Sequence, residues 1–372
     1  MTDETRLSEE LSRRAHDVHG STLTLDDVRG RARSIRRRRT GAVTGGIAAA
    51  VALVVLVPTV LSGGGPESDG VDPAPSPAGT SVLHRGTLTL PDGGTVALDV
   101  DNSDVNQLAV LTDGRIVLGM NQQPGVRVYG PDGTFQDEYV AGPTAIRTSP
   151  DHDAVVWIEG DGGVQVLESG ADEPAELGTV EVDPYTGAMV DAVVDAGTVL
   201  VGNGNTTTTE VTANGVRPLR TSEPLRVTDV SPSGLWAVQY ADDADPQFGC
   251  AGLYDPASST MTARSCETSG LRFSPDGQHV LGGRGDNNMY SDAAVLDLDL
   301  QQVGGWSSAR RGEVISRTAW ADATHVLVAE TSWETSTWTL ARVDLTWTER
   351  EVLDGPAEGG NPEMMSEYVF SG

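Results

Sequence analysis

Two cysteines, Cys250 and Cys266, bound the segment CAGLYDPASSTMTARSC. Asp255-Pro256 carries turn chemistry, and a chain folded about Ser258 sets the two thiols opposite each other on adjacent antiparallel strands, where they can be bridged. A loop of that size contributes about 3 kcal/mol in the chain-entropy model. The alternative is two free thiols; zinc would need further ligands that the spacing does not supply. A second set of candidates is acidic. Asp242, Asp243 and Asp245 in YADDADPQFG, with Asp286, Asn287, Asn288 and Asp292 further on, offer hard oxygen ligands of the kind calcium takes. Their spacing matches no EF-hand loop, so solvated acidic loops are the plainer expectation.

Reactive constellations are otherwise absent from the sequence. It contains no Gly-x-Ser-x-Gly elbow, no His-Glu-x-x-His and no phosphate loop. His279 and His325 fall at equivalent places in a repeat described below, which favours a structural role, while His84 and His152 have no evident partners. Arg284-Gly285-Asp286 spells an adhesion tripeptide but reads as an ordinary loop. Trp306, Trp320, Trp333, Trp338 and Trp347 crowd the last part of the chain, where core packing accounts for most of them. Trp333, in ETSWETSTW, is a candidate binding platform. No cofactor is implied.

The 372 residues include 25 Arg and no Lys against 54 Asp plus Glu, a formal net charge of −29. The charge is uneven. Residues 1–62 hold ten Arg and seven acids, leaving 15 Arg against 47 acids beyond them. An acidic surface of that kind repels phosphate backbones, so nucleic acid is excluded as a partner of the C-terminal part.

Four segments follow one another. Residues 1–40 form a basic segment with two short helical stretches, 5–19 and 24–39, divided at Gly20. Residues 41–61, GAVTGGIAAAVALVVLVPTVL, carry no charge over 21 residues and are long enough for a transmembrane helix. Arg36, Arg37, Arg38 and Arg39 stand just before it, and the positive-inside rule then places residues 1–40 in the cytoplasm and the remainder outside. A cleaved signal peptide is the alternative, at the cost of an n-region of some 40 residues. Residues 62–81 are a Gly/Pro/Ser-rich tether with a reach on the order of 25 Å. Residues 82–372 are the extracytoplasmic folded domain. The basic segment and span resemble the leader of many actinobacterial membrane proteins, which implies a source but no activity.

Within the folded domain a unit recurs: an apolar strand, a turn with Asp or Ser and Gly, and a second apolar strand. Taking the last turn residue as anchor gives Gly114, Asp153, Gly197, Gly234, Gly277 and Ala323, spaced by 39, 44, 37, 43 and 46 residues. A further strand pair follows each anchor, as in GVRVYGPDGTFQDEYV. That period fits a four-stranded propeller blade. Ser149-Pro150-Asp151, Ser231-Pro232-Ser233-Gly234 and Ser274-Pro275-Asp276-Gly277 resemble the WD40-like repeat of TolB-type propellers over about residues 107–330, without a Trp-Asp dipeptide. The resemblance implies a propeller that binds something on a face or in its channel, and no reaction.

The expected fold is therefore an all-β, six-bladed propeller, with seven blades as the alternative. The strands at 83–90 and 95–100 complete no repeat of their own and are available to close the ring beside the last blade. The expected function is a membrane-tethered, non-enzymatic binding or sensing module, monomeric, with a protein, peptide or glycan partner of the cell envelope. A hydrolase or lyase on one face is the alternative. Two carboxylates converging with a His or Arg at the channel mouth would favour the enzyme.

Overall fold

The computed structural model describes residues 79–371, apart from 122–124, 143–145, 183–186, 203–207, 222, 243–244, 285–291, 308–312, 333–334 and 359–366. The basic segment with Arg36 to Arg39, the apolar span and most of the tether lie outside the described residues, as do Asp243, the Arg-Gly-Asp tripeptide beyond Arg284, and Trp333. No helix among the described residues is long and apolar enough to cross a membrane.

The described strands form seven four-stranded antiparallel sheets. Blades 2 to 7 each run in chain order from the innermost strand outward. Their innermost strands are Val105–Val110, Arg147–Thr148, Met189–Asp195, Leu225–Val230, Ser269–Phe273 and Glu313–Asp322. Blade 1 is assembled from both ends of the domain: Val82–His84, Thr87–Thr89 and Thr95–Ala97 are joined by Tyr368–Phe370, which takes the innermost place. The propeller therefore has seven blades, and the expected six is corrected. The strands near residues 83–97 belong to a full blade of their own, whose fourth strand arrives from the far end of the chain.

Seven apolar clusters show that the ring is closed, because each one straddles two neighbouring blades. Leu83 and Leu88 of blade 1 pack with Leu108 and Leu118 of blade 2. Val117 and Val126 of blade 2 pack with Val155 and Trp157 of blade 3. The series continues through blades 3 and 4, 4 and 5, 5 and 6, and 6 and 7. It returns where Ala329 and Trp338 of blade 7 meet Tyr368 and Phe370 of blade 1. Sheets with both faces buried need apolar runs rather than strict alternation, which is why AVVWI at 154–158 is buried at every position. Outer strands lack a neighbour on one side and read differently: FQDEYV at 135–140 is exposed along nearly its whole length.

Polar contacts lock the closure. Ser81 donates its N–H to Ser371 Oγ at 2.7 Å across a sequence separation of 290 residues. Asn102 donates its side-chain amide to the carbonyls of Leu83 at 3.2 Å and Glu367 at 2.6 Å, and accepts the Gly86 N–H at 3.0 Å. His84 is also engaged here: its Nδ1 lies 2.8 Å from Asp354 of blade 7, which accepts the Tyr368 hydroxyl as well.

Candidate functional site in the central channel

Three Ser-Pro turns end the innermost strands of blades 3, 5 and 6, and each is organised by its serine. Ser149, Ser231 and Ser274 are buried. Their hydroxyls accept the N–H groups of Ala154 at 3.0 Å, Leu235 at 2.9 Å and His279 at 2.9 Å. Their carbonyls accept from His152, Gly234 and Gly277. That last residue adopts a left-handed conformation in each turn, with φ of 61° at His152, 87° at Gly234 and 68° at Gly277. His152 thus stands where the other two turns use glycine, one place before the anchor expected at Asp153.

Two positions before each serine lies a charged residue: Arg147, Asp229 and Arg272. The ladder makes their equivalence explicit. Each pairs one step inside the turn, Arg147 with Val156, Asp229 with Ala237 and Arg272 with Leu281. Innermost strands have no blade on their inner side, so these charges meet at the centre of the ring. Two further arginines, Arg226 and Arg317, and one further carboxylate, Asp191, lie inside innermost strands, whose end residues add Asp195, Glu313 and Asp322. Apart from these three, four arginines stand against two aspartates.

The carboxylates are committed to structural bonds. Asp191 has a fully buried side chain and accepts Arg226 Nη2 at 2.6 Å and Nε at 2.8 Å on one oxygen. Burial pushes its carboxyl above the usual range against the pull of Arg226. Asp229 Oδ2 accepts the Phe273 N–H of the next blade at 2.7 Å, while Arg272 donates back to the Thr228 carbonyl at 2.9 Å. Burial raises the Asp229 carboxyl too, opposed by Arg272. Arg317 reaches the Asn106 carbonyl at 3.1 Å.

Arg147 differs from the others. Its Nε is buried and has no hydrogen-bond partner among the described residues. Burial, with the neighbouring Arg272, lowers its guanidinium to about 9. Arg147, Asp229, Arg272 and Arg317 line one cavity of about 720 Å³, whose wall includes Leu108, Val110, Ile116, Val193, Phe273 and Trp320 and whose rim includes Pro150, Pro232 and Pro275 of the Ser-Pro turns. Trp320 is held edge-on by a bond from its Nε1 to the Arg272 carbonyl at 3.1 Å. A cavity of this size, largely apolar with a few convergent polar groups, has the form of a ligand site.

The residues singled out from the sequence lie elsewhere. Cys250 and Cys266 form a disulfide with Cα atoms 4.2 Å apart, beside the paired positions Ala251 and Ser265 on the outer half of blade 5. Asp242 and Asp245 pair along the backbone at a hairpin tip of the same blade. Among the described residues no group of three or more His, Cys, Asp or Glu is placed to share a metal ion. His325 is held by Asp322 at 3.0 Å and Thr324 at 3.0 Å, both on Nδ1, with Arg342 on the same nitrogen. Since carboxylate and hydroxyl share one ring nitrogen, the group caps a turn and cannot relay a proton from Thr324 through the imidazole to Asp322. Burial lowers the His152 imidazole against the pull of Asp151 and Asp153. Trp320 and Trp338 are buried between blades, as core packing requires.

No family model and no curated protein matches this sequence. In fold the chain is similar to one in the crystal structure of a mitotic checkpoint complex, with a TM-score of 0.49 and 12% identity, covering 84% of this chain and 90% of that one. It is also similar to the C-terminal WD40 domain of Sif2, with a TM-score of 0.44 and 14% identity over 68% of this chain and 91% of that domain. Likeness at this level concerns the fold alone.

Proposed function

We propose that the chain is a membrane-tethered binding module: residues 1–40 cytoplasmic, 41–61 spanning the bilayer, 62–81 a tether, and the propeller outside the cytoplasm, binding a protein, peptide or glycan of the cell envelope through its central cavity. The observation that carries this reading is the cavity itself, a chamber of mixed apolar and polar lining whose polar groups include a guanidinium with its Nε unpartnered among the described residues. The Cys250–Cys266 bond suits an oxidising compartment. The arginines before the apolar run support the orientation.

The test is co-purification from membrane extract. A partner retained by the native chain and lost when Thr148→Trp fills the cavity wall, yet kept when the exposed Phe135 becomes Ala, supports the site. A partner kept by Thr148→Trp, or none at all, counts against it. An export-dependent reporter fused after Gly372 should be active and one before Met1 silent; the reverse pattern removes the tether from the account.

One observation favours the enzyme as a second reading. Asp229 lies in the cavity with arginines beside it, and burial raises its carboxyl, the behaviour of a group that can hold a proton. Turnover of a glycoside, ester or peptide substrate that disappears in Asp229→Asn with the fold retained would establish that reading instead.

A further inference from the structure

An arginine side chain keeps its charge at any ordinary pH and offers five N–H donors in a planar fork. Placing such a group in a largely apolar chamber without a counter-ion costs free energy that a folded protein recovers only if something supplies the missing acceptor. Asp229 and Asp191 attract Arg147 from a distance, but its buried Nε has no acceptor among the described residues. Its neighbour Arg272 repels it, and Asp229, the innermost-strand carboxylate in the cavity, has an oxygen engaged by the Phe273 amide. Among the described residues Arg317 has no carboxylate partner and donates to the Asn106 carbonyl. The cavity lining sets three guanidinium groups against three aspartates, of which Asp92 and Asp151 are exposed and Asp229 lies on an innermost strand.

The other buried charge of the innermost strands shows what a completed pair looks like. Arg226 has Asp191 for itself, with two of its nitrogens on one oxygen. Nothing comparable meets Arg147. Fork-shaped donors converging on one space are the arrangement that recognises phosphate and carboxylate groups.

We propose that Arg147, with Arg272 beside it, forms an oxyanion subsite at the centre of the ring, which takes a phosphate or carboxylate group of the ligand. This rests on the reading of the cavity as the binding site and names the chemistry of what enters it. The apolar wall around the arginines strengthens the contact by excluding water.

The full-length chain in detergent, titrated calorimetrically with inorganic phosphate, with succinate and with uncharged succinamide at constant ionic strength, provides the test. Saturable one-to-one binding of phosphate or succinate, and none of succinamide, is expected, and the tighter of the two identifies the source of the oxyanion. Arg147→Gln should weaken it at least about tenfold, the loss of one charge-assisted bond pair. Arg147→Lys, which keeps the charge without the fork, should fall between them, and Arg217→Gln, on an exposed outer strand, should bind as the native chain does. Absence of saturable binding with both anions, or equal binding by native chain and Arg147→Gln, overturns the subsite. Retention of a co-purified partner by an Arg147→Gln chain that binds no anion overturns the subsite and leaves the binding module standing.

Discussion

Asp229 of blade 5 accepts the backbone N–H of Phe273 in blade 6 at 2.7 Å, so the carboxylate nearest the cavity's arginines serves as a strap between blades. Arg272 returns the contact by donating to the Thr228 carbonyl. Arg147 is left with attraction at a distance and, among the described residues, no bond to its Nε. Replacing it with Met, of similar length and no charge, should raise stability by about 1–2 kcal/mol, because an unpaired buried cation is exchanged for an apolar contact. Thermal and denaturant unfolding of Arg147→Met beside the native chain measures this; a loss of stability would mean that Arg147 supports the fold.

The disulfide joins the third strand of blade 5 to the end of its fourth, at an outer edge where fewer neighbours hold the chain. Thiol labelling of unfolded, unreduced protein should find no free cysteine. Cys250→Ser should lower stability by about 2–4 kcal/mol. Two labelled thiols in protein taken from its native compartment would contradict the bond.

Ring closure depends on Asn102, which holds Gly86, Leu83 and Glu367 at once. Asn102→Ala leaves those backbone groups short of partners and should cost about 2 kcal/mol. Hydrogen exchange should quicken first in Val82–His84 and Tyr368–Phe370, the two strands that meet there. Uniform destabilisation with no preference for blade 1 would show that closure is carried elsewhere.

Asp344 begins a tight turn in blade 7. Against burial, which alone would raise it, the Thr346 hydroxyl and the N–H groups of Glu349 and Thr346 hold its carboxyl at about 2, below the ordinary 3.8. A depressed folded-state value means stability that is present above the unfolded pKa and lost as pH falls through the folded one. The deficit of Asp344→Asn relative to the native chain should therefore be constant above about pH 5 and shrink between pH 4 and 2. Unfolding midpoints across that range decide it, and a deficit unchanged at pH 2 would refute the assignment.

Much of the ring was legible in the sequence, for reasons local to each blade. A Ser-Pro turn, an apolar strand on either side and a period near 40 residues recur because each blade repeats the same short-range geometry, and the anchors at Gly114, Gly197, Gly234, Gly277 and Ala323 all fall in or beside real hairpins. Cys250 and Cys266 were legible because one hairpin sets their spacing. Blade 1 was not, since its innermost strand lies at the opposite end of the domain and no local pattern connects Tyr368 to His84. The partner of His84, Asp354, is equally remote.

The cavity's charges were visible but unread. Arg147, Asp229 and Arg272 each precede a Ser-Pro by two residues, and a charge recurring there within apolar strands marks a face that looks onto neither a neighbouring blade nor the outer solvent. Arg317 could not be found in this way, because no Ser-Pro turn follows it and its strand runs on to Asp322. Alternation alone treats such residues as outward-facing. Only the closed ring turns them inward.

The central claim is that ligands enter the propeller through its arginine-lined cavity, and arginine-selective dicarbonyl labelling read by mass spectrometry tests it most directly. The chain with its co-purified partner is compared with the chain alone. The account predicts that Arg147 and Arg272 are protected in the complex while Arg217, exposed on the outer strand of blade 4, reacts equally in both. Protection of Arg217 with Arg147 labelled at an unchanged rate would place the partner on the outside of the ring and contradict the claim.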